Sequence, residues 1–137
     1  MRIELAPHPD DALRAAIQAP LKAFNDSLSG PSGFQTLAVA LRNAEGEVVG
    51  GLWGHTAYGW LYTQLLAVPA DARQQGLGRD LMRCAETEAR ARGCHAAWVD
   101  TIFGARGFYE RLGYRVFGEL PDHPAGWTRS FLHKTLA

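Results

Sequence analysis

From Val48 to Ala70 the chain carries no Asp, Glu, Lys or Arg. A charge-free run of that length is long enough to cross a bilayer, so it separates two very different folds. Its contents argue against a membrane helix. Gly50, Gly51, Gly54 and Gly59 interrupt it, together with His55, Thr56, Thr63 and Gln64. His55-Thr56-Ala57-Tyr58-Gly59 reads as a turn. Two neighbouring buried strands explain the run better, and the expectation is a protein without a membrane span.

The rest of the chain supplies the partners for those strands. Arg2–Ala6 reads as a first strand. Pro9-Asp10-Asp11 starts a helix, with carboxylates where a helix N-terminus favours them. Leu13, Ile17, Leu21 and Phe24 or Leu28 recur at helical spacing, and Pro20 is expected to kink or divide the segment. After the loop Ser29–Gly33, Phe34–Arg42 is a strand that ends in the hairpin turn Asn43–Gly46. Glu47–His55 and Trp60–Val68 are the two strands of the charge-free run, and Pro69 stops the second.

The period then changes. Leu77, Leu81, Ala85 and Ala89 form an i, i+4 stripe with Met82 beside it. Glu86–Arg90 and Glu88–Arg92 are spaced as favourable i, i+4 ion pairs, and Gly93 is placed as a C-cap. Ala96–Thr101 is a strand. Ala105, Phe108, Tyr109 and Leu112 make a short helical face closed by Gly113. Tyr114–Glu119 and Thr128–Thr135 are the last strands, separated by the loop Pro121–Gly126. The order β-α-βββ-α-β-α-ββ predicts one α/β domain over 1–137, with a β-α-β crossover at its centre.

Composition narrows the function. The chain has 137 residues, with 14 basic and 14 acidic side chains. Zero net charge excludes a broad polyanion-binding surface, so nucleic acid is not an expected partner. Two cysteines, Cys84 and Cys94, are too few for a disulfide framework, and the five histidines form no HxxxH or HExxH pair, so no metal is expected. Met1–Pro7 lacks the apolar run of a signal peptide, which points to a cytoplasmic protein.

The chemistry concentrates in Val68–Arg79, between a strand and a helix. Gly76 and Gly78 let backbone approach a ligand and expose the first amides of the helix, where the dipole favours an anion. Arg73 and Arg79 add charge-assisted contacts to phosphate oxygens. The reading is a phosphate or pyrophosphate cradle. A Rossmann dinucleotide site is disfavoured, because Leu81 stands where a third glycine belongs and the glycines lie well past the strand end. A Walker A loop is excluded by the absence of Gly-Lys-Ser/Thr.

Arg73-Gln74-Gln75-Gly76-Leu77-Gly78 resembles the R/Q-x-x-G-x-G/A signature of the GNAT (GCN5-related) N-acetyltransferase superfamily. Leu65–Pro69 resembles that family's fourth strand, and Ala105–Tyr114, read A-x-x-F-Y-E-R-L-G-Y, resembles its second hallmark. The resemblance covers residues 34–137 well and the first helix more loosely. It implies a mixed sheet of about seven strands, helices on both faces, and splayed fourth and fifth strands. It also implies acetyl-CoA as co-substrate, with no metal. An amine would attack the thioester directly, through a tetrahedral intermediate.

Carried over residue by residue, the resemblance implies that the backbone of Leu66, Ala67 and Val68 pairs with the pantetheine arm and polarises the thioester carbonyl, as an oxyanion hole does. Arg73, Gln74, Gln75, Gly76, Leu77, Gly78 and Arg79 would hold the pyrophosphate. Ala105 and Phe108 would line the channel beside Tyr109, the implied general acid for the departing thiolate. Gln64 stands near the usual glutamate base and cannot act as one, which leaves Asp100, His55 or a water chain; Asp100 and Gln64 are the base or water-positioning candidates. Trp53, Trp60 and Trp98 read as core or cleft wall, and Trp127 as a residue bordering the acceptor.

The implied acceptor is a small-molecule primary amine. The alternatives are a protein N-terminus or lysine, or a non-catalytic CoA-binding module of the same fold. Homodimers are common in the family. The charge is unevenly spread: residues 1–72 hold four basic and seven acidic side chains, and residues 73–137 hold ten and seven. The positive excess begins where the phosphate loop begins, and the acidic half suits a cationic amine.

Overall fold

The computed structural model describes residues 1–136. The chain divides into two compact units, residues 1–32 and 33–137.

In the first unit, helix α1 spans Asp11–Ser29. The Asp10 carboxylate caps it by accepting from the Leu13 amide at 2.8 Å, and Gly30, at φ 77°, closes it through a 2.9 Å bond to the Asp26 carbonyl. Pro20 was expected to kink or divide this segment, yet the helix runs through it undivided. The proline removes one bond from the i→i−4 ladder, and the rest of a 19-residue helix carries the turn. Arg2–Ala6 is not a strand. A strand needs a neighbour for its backbone groups, and this unit contains no other.

The second unit is an α/β fold built on one sheet. Its strands are β1 Gln35–Arg42, β2 Val48–Ala57, β3 Trp60–Ala67, β4 Ala96–Thr101, β5 Arg115–Leu120 and β6 Arg129–Thr135. Helices α2 Leu77–Ala91 and α3 Arg106–Arg111 follow β3 and β4. The order is β1-β2-β3-β4-β6-β5, so the sheet has six strands against the expected seven or so. β3 and β4 pair in parallel through the α2 crossover, and every other pair is antiparallel. The charge-free run is the β2–β3 hairpin. Its two-residue turn, Tyr58-Gly59, has both residues at positive φ, 52° and 75°, the geometry that matches strand twist. Among the described residues no helix is long and apolar enough to cross a membrane.

Helix α2 packs on β1, β2 and β3, and its Met82, Ala85 and Ala89 share one buried cluster with Leu37, Leu52 and Leu61 of those strands, while Leu81 is buried beside it. Leu77, read as the start of this stripe, is half-buried at the helix N-terminus. The expected Glu86–Arg90 pair does not form. Glu86 is 3% exposed and accepts hydrogen bonds from the Tyr114 hydroxyl at 2.8 Å and from Lys134 Nζ at 2.7 Å. Arg90 donates instead to the Leu136 carbonyl at 2.8 Å. A buried carboxylate needs buried donors, and two of them outcompete an exposed neighbour one turn away. The exposed Glu88–Arg92 pair does form, at 3.4 Å.

Removing one partner of such a buried pair is costly. Lys134→Ala should lower unfolding free energy by about 3 kcal/mol, whereas the paired replacement Glu86→Gln with Lys134→Met should cost much less. Urea unfolding of the variants checks this, and equal losses would mean that Lys134 does not neutralise Glu86.

Candidate active site

The parallel pairing of β3 with β4 lasts only from Trp60↔Ala96 to Thr63↔Val99. Beyond it β3 continues to Ala67, paired with β2, and β4 continues to Thr101, paired with β6. The two strands therefore fork, and among the described residues the β3 edge over 64–67 has no strand partner on the β4 side. A bulge marks the fork: Thr63 faces Gly54 and Leu65 faces Trp53, so Gln64 is the extra residue. Gly54 is required at this point, because a Cβ there would lie 2.0 Å from the Tyr62 carbonyl oxygen.

A cleft of about 640 Å³ opens at the fork. Its walls are the end of β3 (66–68), the loop and first turn of α2 (72–74 and 76–79), and Ala105, Phe108, Tyr109 and Arg111. Every residue proposed for cofactor contact lines it except Gln75, whose exposed side chain is not on the cleft wall. Ala72 and Arg111 were not anticipated. Arg111 lies three residues after Phe108, a spacing that puts both on one helix face.

The loop's geometry suits an anion. Gln74 and Gly76 both have positive φ, 67° and 78°, and Arg73 Nε holds the loop to the strand end through the Val68 carbonyl at 3.3 Å. Gly76 caps α2 with no side-chain acceptor, so the first helical amides are free for a ligand. Among the described residues Arg73 and Arg111 have no carboxylate partner, whereas Arg79 pairs with Asp80 at 3.3 Å. Gly78 has a second role. A Cβ there would sit 3.1 Å from the Phe108 ring, so this glycine admits α3 as well as a ligand.

Tyr109 is 7% exposed, and its phenol is pushed up to about 12 by burial and then by the Asp100 charge. Its ring meets Phe108 and Tyr114 edge-on at 5.0 and 5.8 Å. Among the described residues its hydroxyl has no hydrogen-bond partner, and the side chain lines the cleft.

Asp100 is the first β4 residue past the last β3 pairing. Its Oδ1 accepts from the Tyr62 hydroxyl at 2.7 Å, and its Oδ2 accepts from Arg129 Nη2. Tyr62 stacks on Trp98 at 4.1 Å, and its phenol is also raised to about 12, by burial and then by the hydrogen bond to Asp100. His55 lies 5.5 Å from the Tyr62 ring, with its pKa lowered by burial. Gln64 is exposed on the bulge. Nothing in the sequence pointed to Tyr62 or Arg129, which reach Asp100 from 38 positions before it and 29 after it. Trp53, read as core or cleft wall, is 50% exposed, because Leu52 and Gly54 take the inward positions of β2. Trp60 and Trp98 instead line a recess with Phe117, Phe131 and His133. Among the described residues no three His, Cys, Asp or Glu side chains cluster as metal ligands do.

The model of the acetyltransferase (GNAT) family matches residues 2–114, and the chain belongs to that family. Over 135 residues it is 42% identical to the acetyltransferase Atu2258 of Agrobacterium fabrum, covering 98% of each chain. It is 47% identical over 93 residues to blasticidin-S acetyltransferase of Streptomyces morookaense, covering 66% of this chain and 68% of the relative. A crystal structure of an Agrobacterium tumefaciens protein assigned to the acetyltransferases superposes with a TM-score of 0.92 at 41% identity, covering 98% of this chain and 99% of that one.

The buried phenols carry a pH signature. Tyr62 and Tyr109 are raised to about 12, and burial with the Glu86 charge raises Tyr114 too. A raised phenol favours the fold while neutral, so this stabilisation is complete below the unfolded value of about 10 and is lost as pH climbs through the folded values. The melting temperature should hold up to that point and fall steeply above it. Tyr109→Phe should flatten the fall, and an unaltered alkaline slope would show that this phenol does not titrate from a buried state.

Proposed function

We propose that the protein is an acetyl-CoA-dependent N-acetyltransferase acting on a primary amine of a small molecule. The observation that carries this reading is the fork. It brings an unpaired strand edge, an uncapped helix N-terminus and the unpartnered Tyr109 hydroxyl onto one cleft. The pyrophosphate would lie on the amides of residues 76–79 with Arg73 and Arg111 beside it, and the pantetheine would follow the β3 edge at Leu66–Val68. When bound, acetyl-CoA supplies the activated acyl group.

The residues of the fork then divide the work. Backbone amides of the free β3 edge stabilise negative charge on the carbonyl oxygen. The amine nitrogen bonds to the carbonyl carbon to give a tetrahedral adduct, and the C–S bond breaks as that adduct collapses. Tyr109 hydrogen-bonds to the departing sulfur and gives it a proton. The burial that lifts the phenol to about 12 also raises the proton affinity of a thiolate in the same cleft, so the phenol's shift alone does not penalise the transfer. The nitrogen loses its proton to water, and solvent returns one to the Tyr109 phenolate, so the phenol is restored. The Gln64 amide cannot take that proton, and both Asp100 oxygens already accept hydrogen bonds, so each serves better to position than to abstract.

The relative named as a blasticidin-S acetyltransferase supports a small acceptor. A thiol-release screen of acetyl-CoA against diverse amines tests the reading, and CoA binding without release across the panel would favour a non-catalytic module. Tyr109→Phe should lower kcat by about 100-fold and leave the acetyl-CoA KM nearly unchanged. Equal turnover would remove Tyr109 from the chemistry.

A further inference from the structure

Within the second unit, α2 and α3 share one face of the sheet. Met82, Ala85 and Ala89 of α2 and Tyr109 of α3 join a single buried cluster with Leu61, Val99 and Leu132. Side chains alternate along a strand, so the neighbours of those three strand residues point to the other face. Beside Leu61 stand Trp60 and Tyr62, beside Val99 stands Trp98, and beside Leu132 stand Phe131 and His133. Tyr62 stacks on Trp98 at 4.1 Å, and His133 lies 5.3 Å from Phe117 and 6.5 Å from Trp60. Trp60, Trp98, Phe117, Phe131 and His133 surround a recess of about 690 Å³ whose lining holds no carboxylate, ammonium or guanidinium group. Among the described residues no helix of the second unit covers this face.

The first unit carries a complementary surface. At about 100° per residue, Leu13, Ile17, Leu21, Phe24 and Leu28 fall on one stripe of α1 that contains no charged residue. Lys22 and Asp26 pair with each other on the opposite side of the helix. Helix α1 buries none of its residues, and Ile17, Leu21, Phe24 and Leu28 are 58–74% exposed. A helix of this kind gains most of its stability by burying such a stripe, and nothing else in its unit can cover it. At 1.5 Å per residue α1 is about 28 Å long, enough to cross a sheet of six strands spaced about 4.8 Å apart.

We propose that the aromatic face receives α1 of a second copy, so that two chains exchange their first helices about a two-fold axis. One chain leaves both surfaces open, whereas two copies close both and leave neither over. An uncharged stripe meets an uncharged recess, so no ionised group is stripped of water. Each copy gives one helix and takes one, which engages on the order of 20–30 residues a side, the size of a stable interface. The exchange is independent of the acetyl-transfer reading.

The test is sedimentation of the full chain over a range of concentrations. The wild type should sediment at twice the mass of one chain. Leu21→Glu on the stripe and Phe117→Glu at the recess change exposed residues, and each should raise the dimer dissociation constant by about 100-fold or more. An equimolar mixture of the two variants should recover a dimer, because the intact helix of the Phe117→Glu chain fits the intact face of the Leu21→Glu chain. Ile17→Asn and Phe117→Ser carry the same comparison if a glutamate variant fails to fold. A wild type that is monomeric at every concentration overturns the proposal, as when α1 closes on its own sheet. A Leu21→Glu chain that dimerises like the wild type overturns it as well, since the copies then meet without the helix. A mixture that dissociates as readily as either variant alone overturns the exchange.

Discussion

Four registers of parallel pairing between β3 and β4, and no more, set the rest of the site. Each strand keeps its outer partner, β2 or β6, so the fork costs only inner hydrogen bonds and does not break the sheet. The backbone groups it releases are strong donors and acceptors that need a partner. An extended chain bearing amides fits there as a strand would. The glycine loop and α3 close over this opening from the side of α2, and the Tyr62–Asp100–Arg129 bridge spans three strands beside it.

The buried Glu86 connects the core to this site. Its two donors come from Tyr114, just after α3, and from Lys134 on β6. The Tyr114 amide in turn donates to the Tyr109 carbonyl at 3.1 Å, and the two rings meet at 5.8 Å. A polar anchor in the core therefore fixes the turn from which Tyr109 projects. The same helix that presents free amides at one end holds the tyrosine's support at its middle.

Much of this was legible in the sequence because it is local. The strand–loop–helix around Gly76 and Gly78 and the A-x-x-F-Y-E-R-L-G-Y helix are continuous motifs, and the residues read from them for cofactor contact, all but Gln75, line one cleft. The hairpin turns were legible for the same reason, since glycine at positive φ marks them. What escaped was long-range. Glu86 was read against its neighbour Arg90, but burial assigned it to Tyr114 and Lys134. Asp100 was read as a base candidate, and its two partners lie 38 positions before it and 29 after it. Arg2–Ala6 has the composition of a strand, but composition does not supply a neighbour.

The Gln64 bulge also changes the parity of β3. Leu61 and Thr63 face the core, but after the extra residue it is Leu66, opposite Leu52, that turns inward, while Leu65 is 59% exposed. A simple alternation carried through from Leu61 would turn the second half of the strand over. Which atoms the cleft wall presents is thus decided by counting along the backbone, not by the chemistry of residue 64. Replacing Gln64 with another side chain would exchange one functional group at the fork. Deleting it would turn the rest of the strand over, exchanging its outward face with the face shown to the core.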